Sequence, residues 1–273
     1  MVLLHHNTLD TLCAALAYAM NITPPEYAAS PSEELIHLVD TAFGVKRADR
    51  LFMYNPDAIA TWIIEKYSDF FDAVRATTTL ELPFCTVMPS VTPVCFGTMY
   101  TGAQPAVHGI TRYAKPVIKI DTLFDAMIRA GKACTIIADR ECSMGKIYLE
   151  REMDYYYFDT CAEINAKAAQ LILEDRYDFI AVYNGNYDST MHKNGPEAPI
   201  SLGKLSANTE AFATFAALIR EHWSMHNTLI GFAMDHGCHE IDGNCGSHGL
   251  DMPEDLNITH FYGAYAAKDT SHV

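Results

Sequence analysis

The chain has 273 residues, 49% of them apolar and 19% charged, the balance of a globular protein long enough to bury a sizeable core. Thirty-four acids against 19 Lys and Arg give a formal charge of −15, which excludes a basic surface that would grip a nucleic-acid polymer. No apolar run is long enough to span a membrane, the first residues lack a basic leader pattern, and eight cysteines without paired spacing read as reduced thiols, so a cytoplasmic location is expected.

Residues 8–20 and 31–43 read as two helices. The second opens on Ser30 as cap, Pro31 in the first turn and Glu33 in the capping-box position, and Gly44 stops it. Residues 1–50 are thus a helical N-terminal extension on a core of residues 51–273, the whole forming a single domain, with no chemistry assigned to the extension. From Leu51 on, apolar runs alternate with helical segments. Leu51–Tyr54 precedes a helix over Ala58–Tyr67, and a short helix follows Thr92 and ends at Gly102. The Thr122–Ala130 helix, capped by Asp121, leads into Ala133–Ala138; the Cys161–Glu174 helix leads into Phe179–Tyr183; a helix over Ser206–Met225 leads into Thr228–Met234. Continuous apolar strands separated by helices predict an α/β fold with a mostly parallel sheet covered on both faces. Ile258–Tyr265 is a last strand at or near an edge, and Lys146–Phe158 is a hairpin or a rim over the site.

Ligands of open parallel sheets gather beyond the carboxyl ends of the strands. Three predicted strands end in metal-ligating residue types: Asp57 after the first, Asp188 and His192 after Phe179–Tyr183, Asp235 and His236 after Thr228–Met234; His248 follows in a loop. Singly, each has an ordinary explanation: Asp57 as a helix cap, Asp188 in an Asx turn, His248 as an exposed loop residue. Together with Thr92 they put so much charge at one sheet edge that divalent cations are the simplest way to neutralise it. Mixed Asp and His ligation suits zinc, with manganese as an alternative. Thr92, placed as an N-cap before Pro93, lies where a helix dipole favours phosphate or an alkoxide.

Pro89-Ser90-Val91-Thr92, Thr98-Met99-Tyr100-Thr101-Gly102 and His108-Gly109-Ile110 resemble the nucleophile region of the alkaline phosphatase superfamily, in its type I phosphodiesterase/nucleotide pyrophosphatase branch. Asp188-Ser189-Thr190-Met191-His192 with Gly195-Pro196, Asp235-His236-Gly237 and Gly246-Ser247-His248-Gly249 resemble the later motifs in the same order. The resemblance implies a three-layer α/β/α sandwich and a two-metal hydrolase acting on a small phosphate ester or nucleotide. Asp57, Thr92, Asp235 and His236 would hold one ion, and Asp188, His192 and His248 the other. Thr92 would attack phosphorus and pass through a phosphothreonine that water hydrolyses. Phosphomonoesterase, phosphonate hydrolase and phosphomutase activities occur on the same fold, and a non-catalytic metal-binding regulator is the alternative outside enzymology.

The chain departs from the branch at two places. Ala58 stands where the branch usually has glycine after its first aspartate. Cys95, three residues after Thr92, replaces an asparagine expected to hold a phosphoryl oxygen, a role for which Asn184 and Asn186 are the substitutes considered. Arg112 and Lys115 are the nearby cations for a terminal phosphate dianion. Cys238, His239 and Cys245 match no usual zinc spacing. His108 is expected to be structural, and His5, His6, His222, His226 and His272 to lie at the surface.

Overall fold

Asp57 owes its position to the strand before it, β1 (Arg50–Pro56), which runs through the interior of a seven-stranded sheet. The computed structural model describes residues 3–268, so His272 lies outside the described residues. The other strands of the sheet are β2 (Leu80–Cys85), β3 (Cys134–Asp139), β4 (Asp154–Phe158), β5 (Phe179–Asn184), β6 (Thr228–Phe232) and β9 (Asn257–Tyr265), in the order β2-β9-β6-β1-β5-β3-β4. A two-stranded ribbon pairs β7 (His239–Ile241) with β8 (Cys245–Ser247). Neighbours are parallel from β6 through β4, and β9 runs antiparallel to both β6 and β2.

The helices are α1 (Thr11–Ala19), α2 (Glu33–Phe43), α3 (Thr61–Lys66), α4 (Asp72–Arg75), α5 (Thr92–Thr101), α6 (Pro105–His108), α7 (Leu123–Arg129), α8 (Ser143–Ile147), α9 (Cys161–Glu174), α10 (Asn186–Asn194), α11 (Pro199–His222) and α12 (Pro253–Leu256). They cover both faces, giving the α/β/α sandwich expected. Alternation along β1 shows how. Phe52 and Tyr54 meet Phe215 of α11 on one face, while Asn55 accepts from the Tyr100 hydroxyl of α5 on the other at 2.9 Å. The first helix is no loose appendage: Leu12, Cys13, Ala15 and Leu16 are fully buried in the same core as the sheet.

Several local expectations are corrected. Ser32 rather than Ser30 caps α2, accepting from the Leu35 amide at 3.4 Å. Thr122 rather than Asp121 caps α7 in a capping box with Asp125, and Asp121 pairs with Arg129 instead. The helix after Asp57 begins at Thr61, so Asp57 is not its cap, and α11 begins seven residues earlier than predicted, at Pro199. Thr92 is the first residue of α5 and Val91 its extended N-cap, which frees the Thr92 hydroxyl from capping. No hairpin forms over 146–158: the segment ends in β4, a parallel edge strand. The edge strand β2 was missed because Pro83 interrupts its apolar pattern, although an edge strand tolerates a residue with no N–H to donate.

Candidate metal centre

Backbone bonds between strand ends bring the carboxylates together. The Asp57 amide donates to Asn184 O at 3.1 Å, the Ala233 amide to Tyr54 O at 2.9 Å, and the Thr86 hydroxyl to Asp235 O at 2.7 Å. These register the loops after β1, β5, β6 and β2 at one edge of the sheet. There, potential ligand atoms of Asp57, Asp235 and His236 lie within 4.8 Å of one another, and those of Asp188, His192 and His248 form a second such group. The two groups touch, since the His236 and His248 rings stack at 4.1 Å between centroids. Thr92 Oγ1 sits against the first group, 3.4 Å from Asp57 Oδ2 and 3.3 Å from His236 Nε2.

Each imidazole is oriented by a backbone carbonyl. Nδ1 of His192 faces Gly246 O at 2.9 Å, that of His236 faces Gly237 O at 2.9 Å, and that of His248 faces Ser90 O at 3.0 Å. A carbonyl only accepts, so Nδ1 carries the proton and Nε2 is the ring's free ligand atom. The Nε2 atoms then face carboxylates and each other, with His192 Nε2 3.1 Å from His248 Nε2 and 3.2 Å from Asp188 Oδ1. Asp57 Oδ1, Asp188 Oδ1 and Asp235 Oδ2 are buried without a hydrogen-bond donor among the described residues. Buried acceptors gathered in this way are costly unless a cation lies among them, and two divalent ions with N/O ligands fit this donor set.

Protons answer the same electrostatics. Burial, then the nearby Asp188 charge, pushes the Asp57 carboxyl up to about 7. Burial and Asp57 hold Asp235 well above the usual carboxylate range, and burial and His248 hold His236 well below the usual imidazole range. Burial also works to raise Asp188, but the imidazoles of His192 and His248 beside it outweigh burial and hold that carboxyl low. The adjacent Asp188 carboxylate raises His192; in His248 burial pulls down and the same carboxylate more than offsets it.

A cavity of about 410 Å³ opens over Asp57, Thr92 and Asp188, walled by Tyr183, Tyr113, Lys115, Arg140 and Phe158 among others. The predicted substrate contacts lie elsewhere. Cys95 is fully buried with its thiol toward Val87 O at 3.9 Å. Asn184 donates to the Tyr54 hydroxyl and to Asn165, and Asn186 accepts from Asn208, so neither lines the cavity. The cause is geometric: Cys95, one turn along α5 from Thr92, faces the Val87 loop. Lys115 does line the cavity, while Arg112 lines a neighbouring depression.

His108 is structural as expected. Its Nδ1 accepts from the Ile110 amide, its Nε2 bonds Thr98 Oγ1, and burial brings its pKa down to about 4. Gly97 makes room for it, since a Cβ there would meet the ring at 2.6 Å. Cys238, His239 and Cys245 do not converge: Cys238 packs on Tyr187, His239 bonds Asp255 at 2.7 Å, and Cys245 lies by Lys193 O. His6 and His222 are exposed, but His5 and His226 are half-buried, the latter bonded to Asp175 at 2.9 Å. Sequence reasoning missed Tyr183, whose hydroxyl donates to Asp57 Oδ2, because it closes an apolar strand and reads as core.

The fold carrying these groups is alkaline-phosphatase-like, a mostly parallel sheet between helical layers with the carboxylate and imidazole groups at its carboxyl edge. Murine ectonucleotide pyrophosphatase/phosphodiesterase 5, solved as an inactive form with AMP, superposes with a TM-score of 0.56 at 15% identity, covering 71% of this chain. Phosphonoacetate hydrolase from Sinorhizobium meliloti, in complex with phosphonoformate, gives 0.53 at 17% identity over 75% of this chain. The chain spans 59% of the murine protein and 62% of the bacterial one. In sequence, no family model and no curated protein matches.

Proposed function

We propose that the protein is a two-metal hydrolase of the alkaline phosphatase superfamily that cleaves small phosphate esters, with Thr92 as nucleophile. The observation that supports this most is the pair of adjoining Asp/His groups with the Thr92 hydroxyl, at the cavity floor, against one of them. Asp57, Asp235, His236 and Thr92 would hold one ion, and Asp188, His192 and His248 the other, zinc or manganese fitting both sets. Bound there, two divalent ions supply charge stabilisation to a phosphoryl group and lower the pKa of hydroxyls beside them.

The chain's own residues do the rest. The first turn of α5 presents Thr92 to the cavity floor, and Asp57 and His236 flank its oxygen. Attack forms an O–P bond to Thr92 as the ester P–O bond breaks and the leaving oxygen takes a proton. Water then cleaves the phosphothreonine and restores the hydroxyl. The surrounding burial, with Thr92 only 4% exposed, limits competition from bulk water.

Lys115 gives a second reading a specific basis. Arg140 is paired with Asp159 at 3.3 Å, whereas Lys115 lines the cavity with no carboxylate partner among the described residues and donates to Glu141 O at 2.7 Å. A cation so placed suits the terminal dianion of a monoester or phosphonate. Zinc- or manganese-loaded protein is expected to release p-nitrophenolate from bis(p-nitrophenyl) phosphate or p-nitrophenyl phosphate. At saturating metal, where Asp57, Asp235 and His236 still hold the first ion, Thr92→Ala should lower that rate by at least about 10³-fold. Lys115→Ala should cost the monoester about tenfold or more and spare the diester. Full activity in Thr92→Ala contradicts the nucleophile assignment, and no turnover of any ester by metal-loaded protein favours a non-catalytic binding role.

A further inference from the structure

The Asp57 carboxylate has two oxygens in different surroundings. Oδ1 has no hydrogen-bond donor and lies 3.3 Å from His236 Nε2, within the first group of ligands. Oδ2 accepts from the Tyr183 hydroxyl and lies 3.4 Å from Thr92 Oγ1. Something must decide which oxygen faces the ligands, because a carboxylate is symmetric and the two are related by a half-turn about its bond. The Thr92 contact is long for a hydrogen bond between oxygens, and Thr92 is itself a member of the site. Tyr183 is the other donor.

We infer that Tyr183 is a positioning residue for the first metal site: it holds Asp57 Oδ2 and thereby leaves Oδ1 directed at the ion. Tyr183 is well placed for this. It is the next-to-last residue of β5, so the sheet fixes its backbone, pairing it with Asn55 of β1 two residues before Asp57. Its ring packs edge-on against Phe96 of α5 at 5.7 Å between centroids, four residues along the helix from Thr92. Gly185 lets the hydroxyl through, since a Cβ there would stand 2.7 Å from it. Tyr183 also lines the cavity. One side chain thus ties β5, β1 and the nucleophile helix together at Asp57. A donor outside the ligand shell that orients a ligating carboxylate commonly governs metal affinity by about 10–100-fold.

The inference rests on the two-metal reading above, and its test separates the two. Zinc dissociation constants would be measured by competition with a chromophoric chelator for the wild type and Tyr183→Phe, which keeps the ring on Phe96 and removes only the hydroxyl. Near-ultraviolet circular dichroism and thermal melting of both metal-free proteins verify the fold. The expected result is two sites in each protein, one of them about 10–100-fold weaker in the variant and the other unchanged. A matching deficit in ester hydrolysis should disappear as zinc is raised, which a merely structural loss would not do. Should Tyr183→Phe fail to fold, Tyr183→Gln, which keeps an amide donor without the ring, and Tyr183→Leu, which has none, would be compared instead, with tighter zinc binding expected in the former. Two unchanged affinities, or a deficit that excess zinc leaves in place, overturn the role of Tyr183 and leave the two-metal reading intact. A wild type that binds fewer than two ions overturns both.

Discussion

Ala58 adopts a φ of 64°, in the left-handed region where a side chain is strained, and its amide donates to Asp235 Oδ1 at 3.3 Å. The turn after Asp57 needs this geometry to bring the ends of β1 and β6 together, which is the physical reason a glycine is usual there and alanine the smallest tolerable departure. Ala58→Gly should therefore change stability by less than about 1 kcal/mol, the relieved strain offsetting the lost methyl and the added freedom of the unfolded chain. Ala58→Val should cost about 2 kcal/mol or more, because a branched Cβ fits this region worst. Chemical denaturation of the three proteins checks the order, and equal stability of Val and Gly variants would contradict it. The buried carboxyls give a second residue-level test. An acid held higher in the folded than in the unfolded state stabilises the fold below its unfolded value and loses that contribution as pH rises through its folded value. Asp57, pushed up to about 7, and Asp235, also held high, therefore destabilise the metal-free protein as pH rises from about 4 to 7 and above. Asp188, held low, contributes stability with the opposite dependence, present above its unfolded value and lost only in stronger acid. Zinc bound as proposed would replace the protons on the first two carboxyls, so the rise in Tm on adding zinc should grow between pH 5 and pH 8. A rise that shrinks with pH would contradict the coupling.

At the scale of elements, α1 and the segment after it pack against α5. The Ala29 amide donates to Gly102 O at 2.8 Å, and a Cβ on Gly102, whose φ is 69°, would meet Ala28 at 2.7 Å, so the segment after α1 closes directly on the end of α5. Leu12 of α1 is fully buried. Leu12→Ala should destabilise the whole protein by about 2–5 kcal/mol, read as a single shift of the denaturation midpoint. An early, separate transition would instead mean that the first 50 residues fold apart from the rest. Most elements were legible because their physics is local: continuous apolar strands, the cap and glycine stop at the ends of helices, and the helical spacing of α9. What was not legible depends on neighbours. Pro83 is acceptable only because β2 is an edge strand, and the parallel pairing of β4 with β3 cannot be read from its own five residues, Asp154–Phe158.

Across the whole molecule, seven residues from Asp57 to His248 converge although they are spread over most of the chain, because the segments carrying six of them follow β1, β2, β5 and β6 at one edge of the sheet and the separate β7–β8 ribbon brings in His248. Their residue types and order could be recognised one motif at a time. The cavity wall could not: whether Lys115 or Arg112 faces Thr92, or whether Cys95 does, follows from which way a loop or helix turns after the motif ends. The carbonyls of Ser90, Gly237 and Gly246 that aim the imidazoles were invisible for the same reason, since any residue has a carbonyl. Two of those positions nonetheless need glycine, a Cβ on Gly237 standing 2.1 Å from Glu254 O and one on Gly246 standing 2.3 Å from the Met191 sulfur. The most direct measurement is an anomalous difference map, recorded at the zinc absorption edge, from crystals grown with zinc. The account predicts two peaks, one among Asp57, Thr92, Asp235 and His236 and the other among Asp188, His192 and His248. A map with no zinc among these residues, from protein that is folded and zinc-saturated in solution, would contradict it.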